Sequence, residues 1–214
     1  MLLHIPVRGY FEVNAYVYAD DSTRHGFIID PGAEPRRFLD AITDKNLVID
    51  HILLTHGHFD HLGAADALRD ALGVPIRMAT EGRAYAENPF LNLSASCGPS
   101  ITLQNVEYFD AAQRPTLAAG GCRLVAVPVP GHTPDSVMYY APGHGLTFVG
   151  DTIFKGAIGT GQFPGGDIRQ LVASIREEIL PLPNETALLS GHSDPTTVGN
   201  EKNEPHIRAL LNGS

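Results

Sequence analysis

The chain has 214 residues, 43% of them hydrophobic and 18% charged, which is enough apolar material to fill the core of one large α/β domain. A net charge of −9 without any basic run argues against nucleic-acid binding through phosphates. No stretch approaches 18 uninterrupted apolar residues, and the N-terminus lacks the basic and long apolar regions of a signal peptide. A cytoplasmic location without membrane contact is therefore expected, with Cys97 and Cys122 as free thiols rather than a disulfide.

Short β runs at 2–8, 13–19 and 26–30 open the chain, punctuated by Gly26 and the turn Asp30-Pro31-Gly32. Residues 34–44 carry helical spacing through Phe38, Leu39 and Ile42. The apolar run His51-Ile52-Leu53-Leu54 reads as a buried strand, and 64–72, with Ala67, Leu68, Ala71 and Leu72, as a helix. A strand at 75–78 and a short helix at 80–87 follow. Residues 88–100 are rich in Asn, Ser, Pro and Gly without a period, so they read as a loop, either a cleft wall or a surface connection. The second half reads as strands near 101–103, 106–109, 115–119, 122–129, 136–141, 146–150 and 186–190. Helices are expected at 168–179 and from about 201 onward.

The richest motif is Thr55-His56-Gly57-His58-Phe59-Asp60-His61, directly after the strand ending at Leu54. Three imidazoles and a carboxylate thus leave the carboxyl end of a strand, where open α/β sheets collect their sites. These donors suit Zn²⁺ or Fe²⁺, and there are enough to serve two ions. The pattern recurs downstream, where Gly131-His132, Gly150-Asp151 and Gly191-His192 each follow a β run. A glycine there lets the backbone turn and point the next side chain into a cleft. No Gly-x-Ser-x-Gly elbow is present, so a serine nucleophile is not expected.

Those motifs, together with Gly131-His132-Thr133-Pro134-Asp135-Ser136 and Gly150-Asp151-Thr152, resemble the signature of the metallo-β-lactamase superfamily. The wording is similar to its glyoxalase II branch, the hydroxyacylglutathione hydrolases. Ile28-Ile29-Asp30-Pro31-Gly32, Phe163-Pro164-Gly165-Gly166-Asp167 and Thr196-Thr197-Val198-Gly199-Asn200-Glu201-Lys202 resemble segments of its short bacterial members. The resemblance implies an α/β fold of αββα type, two mixed sheets flanked by helices, as a single domain over 1–214. It also implies that the C-terminal glutathione-binding helical extension of longer members is missing.

By the same resemblance, His56, His58 and His132 would hold one divalent ion, and Asp60, His61 and His192 a second, with Asp151 bridging. Zinc is expected, with iron or manganese as alternatives. Two such cations can share and acidify a water and polarise the carbonyl under attack. Asp60 would orient the attacking group, Asp30 would fix a ligand imidazole, and Tyr139 would contact a glutathione moiety. Thr160 stands where the branch usually has a basic residue, and Lys155 is nearby. His4, His25, His51, His144 and His206 lack partner spacing and are read as non-ligands.

The implied activity is hydrolysis of a small-molecule thioester or related acyl bond, of the S-lactoylglutathione type. A mononuclear iron persulfide dioxygenase shares the fold and most of the motifs. A non-catalytic binding protein on the same fold is a third reading.

Overall fold

The computed structural model describes residues 1–212, apart from a few C-terminal side chains, including that of His206. The His206 expectation therefore lies outside the described residues. The first sheet contains β1 (Leu2–Arg8), β2 (Glu12–Ala19), β3 (His25–Ile29), β4 (Val48–Leu53), β5 (Ile76–Ala79) and β6 (Val106–Phe109), in that spatial order. The second contains β7 (Thr116–Ala119), β8 (Cys122–Pro128), β9 (Val137–Ala141), β10 (Leu146–Gly150), β13 (Ala187–Ser190) and β14 (Thr196–Thr197). Its spatial order is β14-β13-β10-β9-β8-β7. A separate hairpin joins β11 (Ile153–Phe154) to β12 (Ala157–Ile158). Both sheets are mixed, since β3 to β6 pair in parallel and β10 pairs in parallel with β13, while other neighbours run antiparallel.

Period-two alternation builds the layers. Along β2, Ala15, Val17 and Ala19 enter one core while Tyr16 and Tyr18 enter another. Along β3, Ile28 faces the first core and Phe27 and Ile29 the second. The second core lies between the sheets, where these residues meet Leu124, Ala126, Val137, Tyr139, Phe148 and Leu189. The helices cover the outer faces. On one side, α1 (Pro35–Lys45) and α3 (Ala65–Leu72) contribute Phe38, Ile42 and Leu68. On the other, α6 (Ile168–Ser174) and the π turn Ile175–Ile179 contribute Leu171, Ile175 and Ile179. The expected αββα sandwich is the fold observed. Among the described residues no helix is long and apolar enough to cross a membrane.

Several local expectations change. Residues 101–103 form no strand, because Ile101 N donates to Ser94 Oγ and Leu103 N to Ala86 O, which ties the backbone to the preceding loop and helix. The helix expected at 80–87 is a 3₁₀ turn, Thr80–Gly82, followed by α4 (Arg83–Glu87). The loop at 88–100 holds one helical turn, α5 (Ser94–Cys97). The C-terminal helix is two helices, α7 (Val198–Asn203) and α8 (Pro205–Asn212), split where Pro205 ends the run. Tyr139 requires a correction. It is fully buried between the sheets, and its hydroxyl donates to Leu54 O at 2.8 Å, so it faces the core rather than the cleft.

A candidate metal centre

All seven donors expected from the motifs converge at the carboxyl ends of β4, β8, β10 and β13. Beyond β4, residues 55–58 turn into α2 (Phe59–Leu62), which carries Asp60 and His61. Before Asp151 the β10–β13 register slips between Phe148 and Gly150, a bulge that turns the chain toward the cleft. Gly150 itself has φ +51°, and a Cβ there would lie 2.4 Å from Thr55 Oγ1. At Gly191 a Cβ would lie 2.4 Å from Asp151 Oδ1 and 2.5 Å from His61 Cε1, so a side chain would invade the donor cluster. Asn14 on β2 clamps the loop carrying His192 by donating through its side chain to Ser190 O and Ser193 O.

Three nitrogens meet in the first half of the site. His58 Nδ1 lies 3.1 Å from His56 Nε2 and 3.0 Å from His132 Nε2. The outer nitrogens reveal the tautomers. His132 Nδ1 donates to the carbonyl of Thr160 at 2.8 Å. Thr55 Oγ1 donates to Asp30 Oδ2 at 2.6 Å and so accepts from His56 Nδ1 at 3.1 Å. Both Nε2 atoms therefore aim lone pairs at His58. Donor atoms on a tetrahedral zinc ion stand about 3.3 Å apart, given Zn–N bonds of about 2.0–2.1 Å, so the observed spacing fits one ion. Burial, reinforced by the neighbouring imidazoles, pushes His58 down to about 3 and holds His56 well below its ordinary range. Both rings are neutral and can ligate.

The second half is charged. His61 Nε2 lies 3.4 Å from Asp151 Oδ1 and 3.9 Å from Asp60 Oδ2. His192 Nε2 lies 3.1 Å from Asp60 Oδ2 and 3.3 Å from Asp151 Oδ2, while its Nδ1 donates to Glu12 O at 2.8 Å. Burial disfavours charge on His61, but Asp151, Asp30 and Asp60 outweigh it and raise its pKa well above the usual value. Burial also opposes protonation of His192, yet its bonds to Asp151 and Asp60 push it up to about 10. Burial works against the Asp151 anion too, but His61 and His192 hold its carboxyl well below the ordinary range. Two protons thus sit where two carboxylates demand positive charge, and a divalent ion would supply that charge while displacing them.

Asp151 stands between the halves, with Oδ2 3.7 Å from His132 Nε2 and Oδ1 toward His61. His61 Nε2 and Asp151 Oδ1 are buried without a hydrogen-bond partner. Orphaned buried polar atoms are costly in a protein alone, so their concentration here fits a donor set with room for two ions. Asp30 is buried and accepts from His61 Nδ1 at 3.0 Å and from Thr55 N at 2.7 Å.

The site opens into a cleft of about 350 Å³ whose walls include Phe11, Phe59, Leu93, Phe154, Phe163 and Thr160. Among the described residues no Lys or Arg lines it. Lys155 instead pairs with Asp194 at 3.2 Å on the surface. The loop at 88–100 is a cleft wall through Leu93, a leucine held at φ +70°. Buried Asn92 ties that loop down by donating through its side chain to Tyr85 O and Ile101 O, while its backbone carbonyl accepts from Phe59 N. The remaining described histidines lie elsewhere. His4 bonds Asn14, His25 pairs with Asp50, His51 stacks on Phe27, and His144 meets Tyr18 edge-on. Thr55 and the carbonyls of Thr160 and Glu12 are the orienting groups that motif reading missed. Thr55 stood within the motif, whereas a backbone carbonyl leaves no trace in sequence.

The fold and the site together define a class of protein. Residues 8–192 match the model of the metallo-beta-lactamase superfamily, and the chain belongs to that family, a class of metal-dependent hydrolases. It is 34% identical to the hydroxyacylglutathione hydrolase GloC of Haemophilus influenzae, over 92% of this chain and 93% of that one. Among solved structures it resembles BLEG-1, described as a B3 metallo-beta-lactamase, with 36% identity and a TM-score of 0.90 over 97% of this chain and 99% of that one. It also resembles TTHA1623 in a di-iron-bound form, with 32% identity and a TM-score of 0.80 over 94% and 98% of the two chains.

Proposed function

We propose that this chain is a cytoplasmic, binuclear metal-dependent hydrolase that cleaves a thioester or related acyl bond of a small molecule. The observation that carries the reading is the position of Asp151, between a neutral three-histidine group and the Asp60–His61–His192 group. His56, His58 and His132 would hold one ion, and Asp60, His61 and His192 the other, with Asp151 shared. The likeness to GloC supports the thioester, and the likeness to BLEG-1 adds a lactam to the acyl bonds worth testing. Zinc is the proposed metal, and the di-iron form of TTHA1623 makes iron the alternative.

Bound divalent ions supply Lewis acidity, which lowers the pKa of water and stabilises charge developing on a carbonyl oxygen. The residues of the chain do the rest. Asp60, with its carboxylate at the cleft and its other contact to His192, would accept a hydrogen bond from the attacking water and orient it. Thr160 and Glu12 carbonyls, Thr55 and Asp30 keep the imidazoles in the tautomers that face inward, so no reorganisation is needed at the moment of reaction. The aromatic walls exclude water from the carbonyl and strengthen electrostatics within the cleft.

Metal analysis of purified protein, with turnover of S-lactoylglutathione, an uncharged thioester and a β-lactam, tests the proposal. About two equivalents of metal with thioester hydrolysis are expected. One iron per chain, with oxygen consumption on glutathione persulfide and no hydrolysis, would replace the reading with the dioxygenase.

A further inference from the structure

A second cavity, of about 500 Å³, adjoins the metal cleft and shares Phe11, Phe59 and Asp60 with it. Phe11 and Phe59 stand 6.0 Å apart between ring centroids, with Tyr10 5.0 Å from Phe11 and 6.3 Å from Phe59, so an aromatic cluster forms the common wall. Tyr10 and Phe11 are 65% and 47% exposed, a concentration of apolar surface that a solvated rim does not require. Beyond them the lining is mostly small or apolar, including Ala33, Ala64, Ala67 and Ile101. Among the described residues no Lys or Arg lines either space, and the charged residues lining the second cavity are Glu34 and Asp60. Glu34 is already engaged by Arg8 N at 2.8 Å and by Arg37 at 3.3 Å.

We propose that this cavity is the acyl compartment of the site and takes an uncharged, apolar acyl chain or ring. The inference rests on the hydrolase reading above and deepens it. An anionic arm would be desolvated there without a partner and beside two carboxylates, whereas an apolar arm loses only its contact with water. Biological thiol carriers are polar, so the apolar arm of a thioester is its acyl side. Each buried methylene is worth about 0.8 kcal/mol, or about fourfold in affinity.

The test uses the metal-loaded enzyme and acyl thioesters of N-acetylcysteamine, an uncharged carrier, with acetyl, butyryl, hexanoyl and octanoyl groups. KM is expected to fall by about fourfold per methylene until the cavity is full. Ala67→Phe, at an exposed position lining the cavity and away from every metal donor, should flatten that gradient, raising KM for the octanoyl thioester far more than for the acetyl one. Cys97 gives a readout independent of turnover. It is half-buried and lines the cavity, while Cys122 is buried elsewhere. The non-hydrolysable S-octyl thioether of N-acetylcysteamine should slow iodoacetamide alkylation of Cys97. A flat chain-length series, a gradient untouched by Ala67→Phe, or alkylation indifferent to the thioether would each overturn the compartment while leaving the hydrolase intact. Protection of Cys97 with no thioester hydrolysed would retain the compartment and overturn the reading on which its acyl assignment rests.

Discussion

Asp30 accepts from His61 Nδ1 at 3.0 Å, and that bond turns His61 Nε2 toward Asp151 at 3.4 Å. The same carboxylate accepts from both the backbone and the hydroxyl of Thr55, whose hydroxyl in turn receives His56 Nδ1–H. One buried side chain on the β3–α1 connection thus orients imidazoles in both halves of the site.

Replacing Asp30 with Asn should therefore weaken metal binding without removing a ligand. Groups that orient ligating histidines typically contribute about 10–100-fold in metal affinity. A chelator competition titration should show that loss, larger for the ion held through His61 than for the one held by His56, His58 and His132. Unchanged affinity, with the fold intact by circular dichroism, would reduce Asp30 to a turn residue.

Asp151 faces both donor groups, so Asp151→Ala should cost both ions and nearly all activity. His25 and His144 make contacts remote from the cluster, and His4 reaches it only through the side-chain oxygen of Asn14, so alanine at any of the three should leave metal content at wild-type level. Elemental analysis of the four variants decides. Loss of metal from His25→Ala, for example, would mean that the ligand set is drawn wrongly.

Thr160 lines the cleft, but it holds His132 through its backbone carbonyl, so its side chain can be changed without disturbing that bond. Thr160→Arg places a cation where neither cleft nor cavity has one. A charge-assisted bond contributes about 1.5–3 kcal/mol, so KM for S-lactoylglutathione should fall roughly tenfold or more, with little change for an uncharged thioester. Equal KM values for wild type and variant would show that a glutathione carboxylate does not reach this wall.

Asp135 is fully buried beneath Gly57 and Gly82, and burial pushes its carboxyl up to about 7. An acid raised in the folded state keeps its proton after the unfolded chain has released it. Stability therefore falls as pH rises from the ordinary carboxylate range to about 7, by up to about 4 kcal/mol. Asp135→Asn has no proton to lose, so its Tm relative to wild type should improve from pH 5 to about 7 and level off by pH 8. A constant difference across that range would mean that Asp135 ionises freely in the native protein.

The donors were legible because each belongs to a local pattern. A strand followed by a glycine turn aims the next side chain past the sheet end, and seven His and Asp residues on four such turns leave few alternatives. The layers were equally local, since the alternation along β2 and β3 already divides the residues between two cores. Tyr139 was not legible in this way. Alternation assigns it to one face of β9, but only the stacking of the two sheets makes that face the interior, with Leu54 O waiting for its hydroxyl. Residues 101–103 carry strand-like side chains, yet their amides are claimed by Ser94 and Ala86 instead of a neighbouring strand. The tautomers at His132 and His192 depend on carbonyls 28 and 180 residues away in the chain. The sequence by itself determined which side chains can bind metal, because that is a property of residue type and turn geometry. Only the tertiary structure decided which nitrogen each ring presents and which apolar surface adjoins the metals, because both depend on groups brought together by packing.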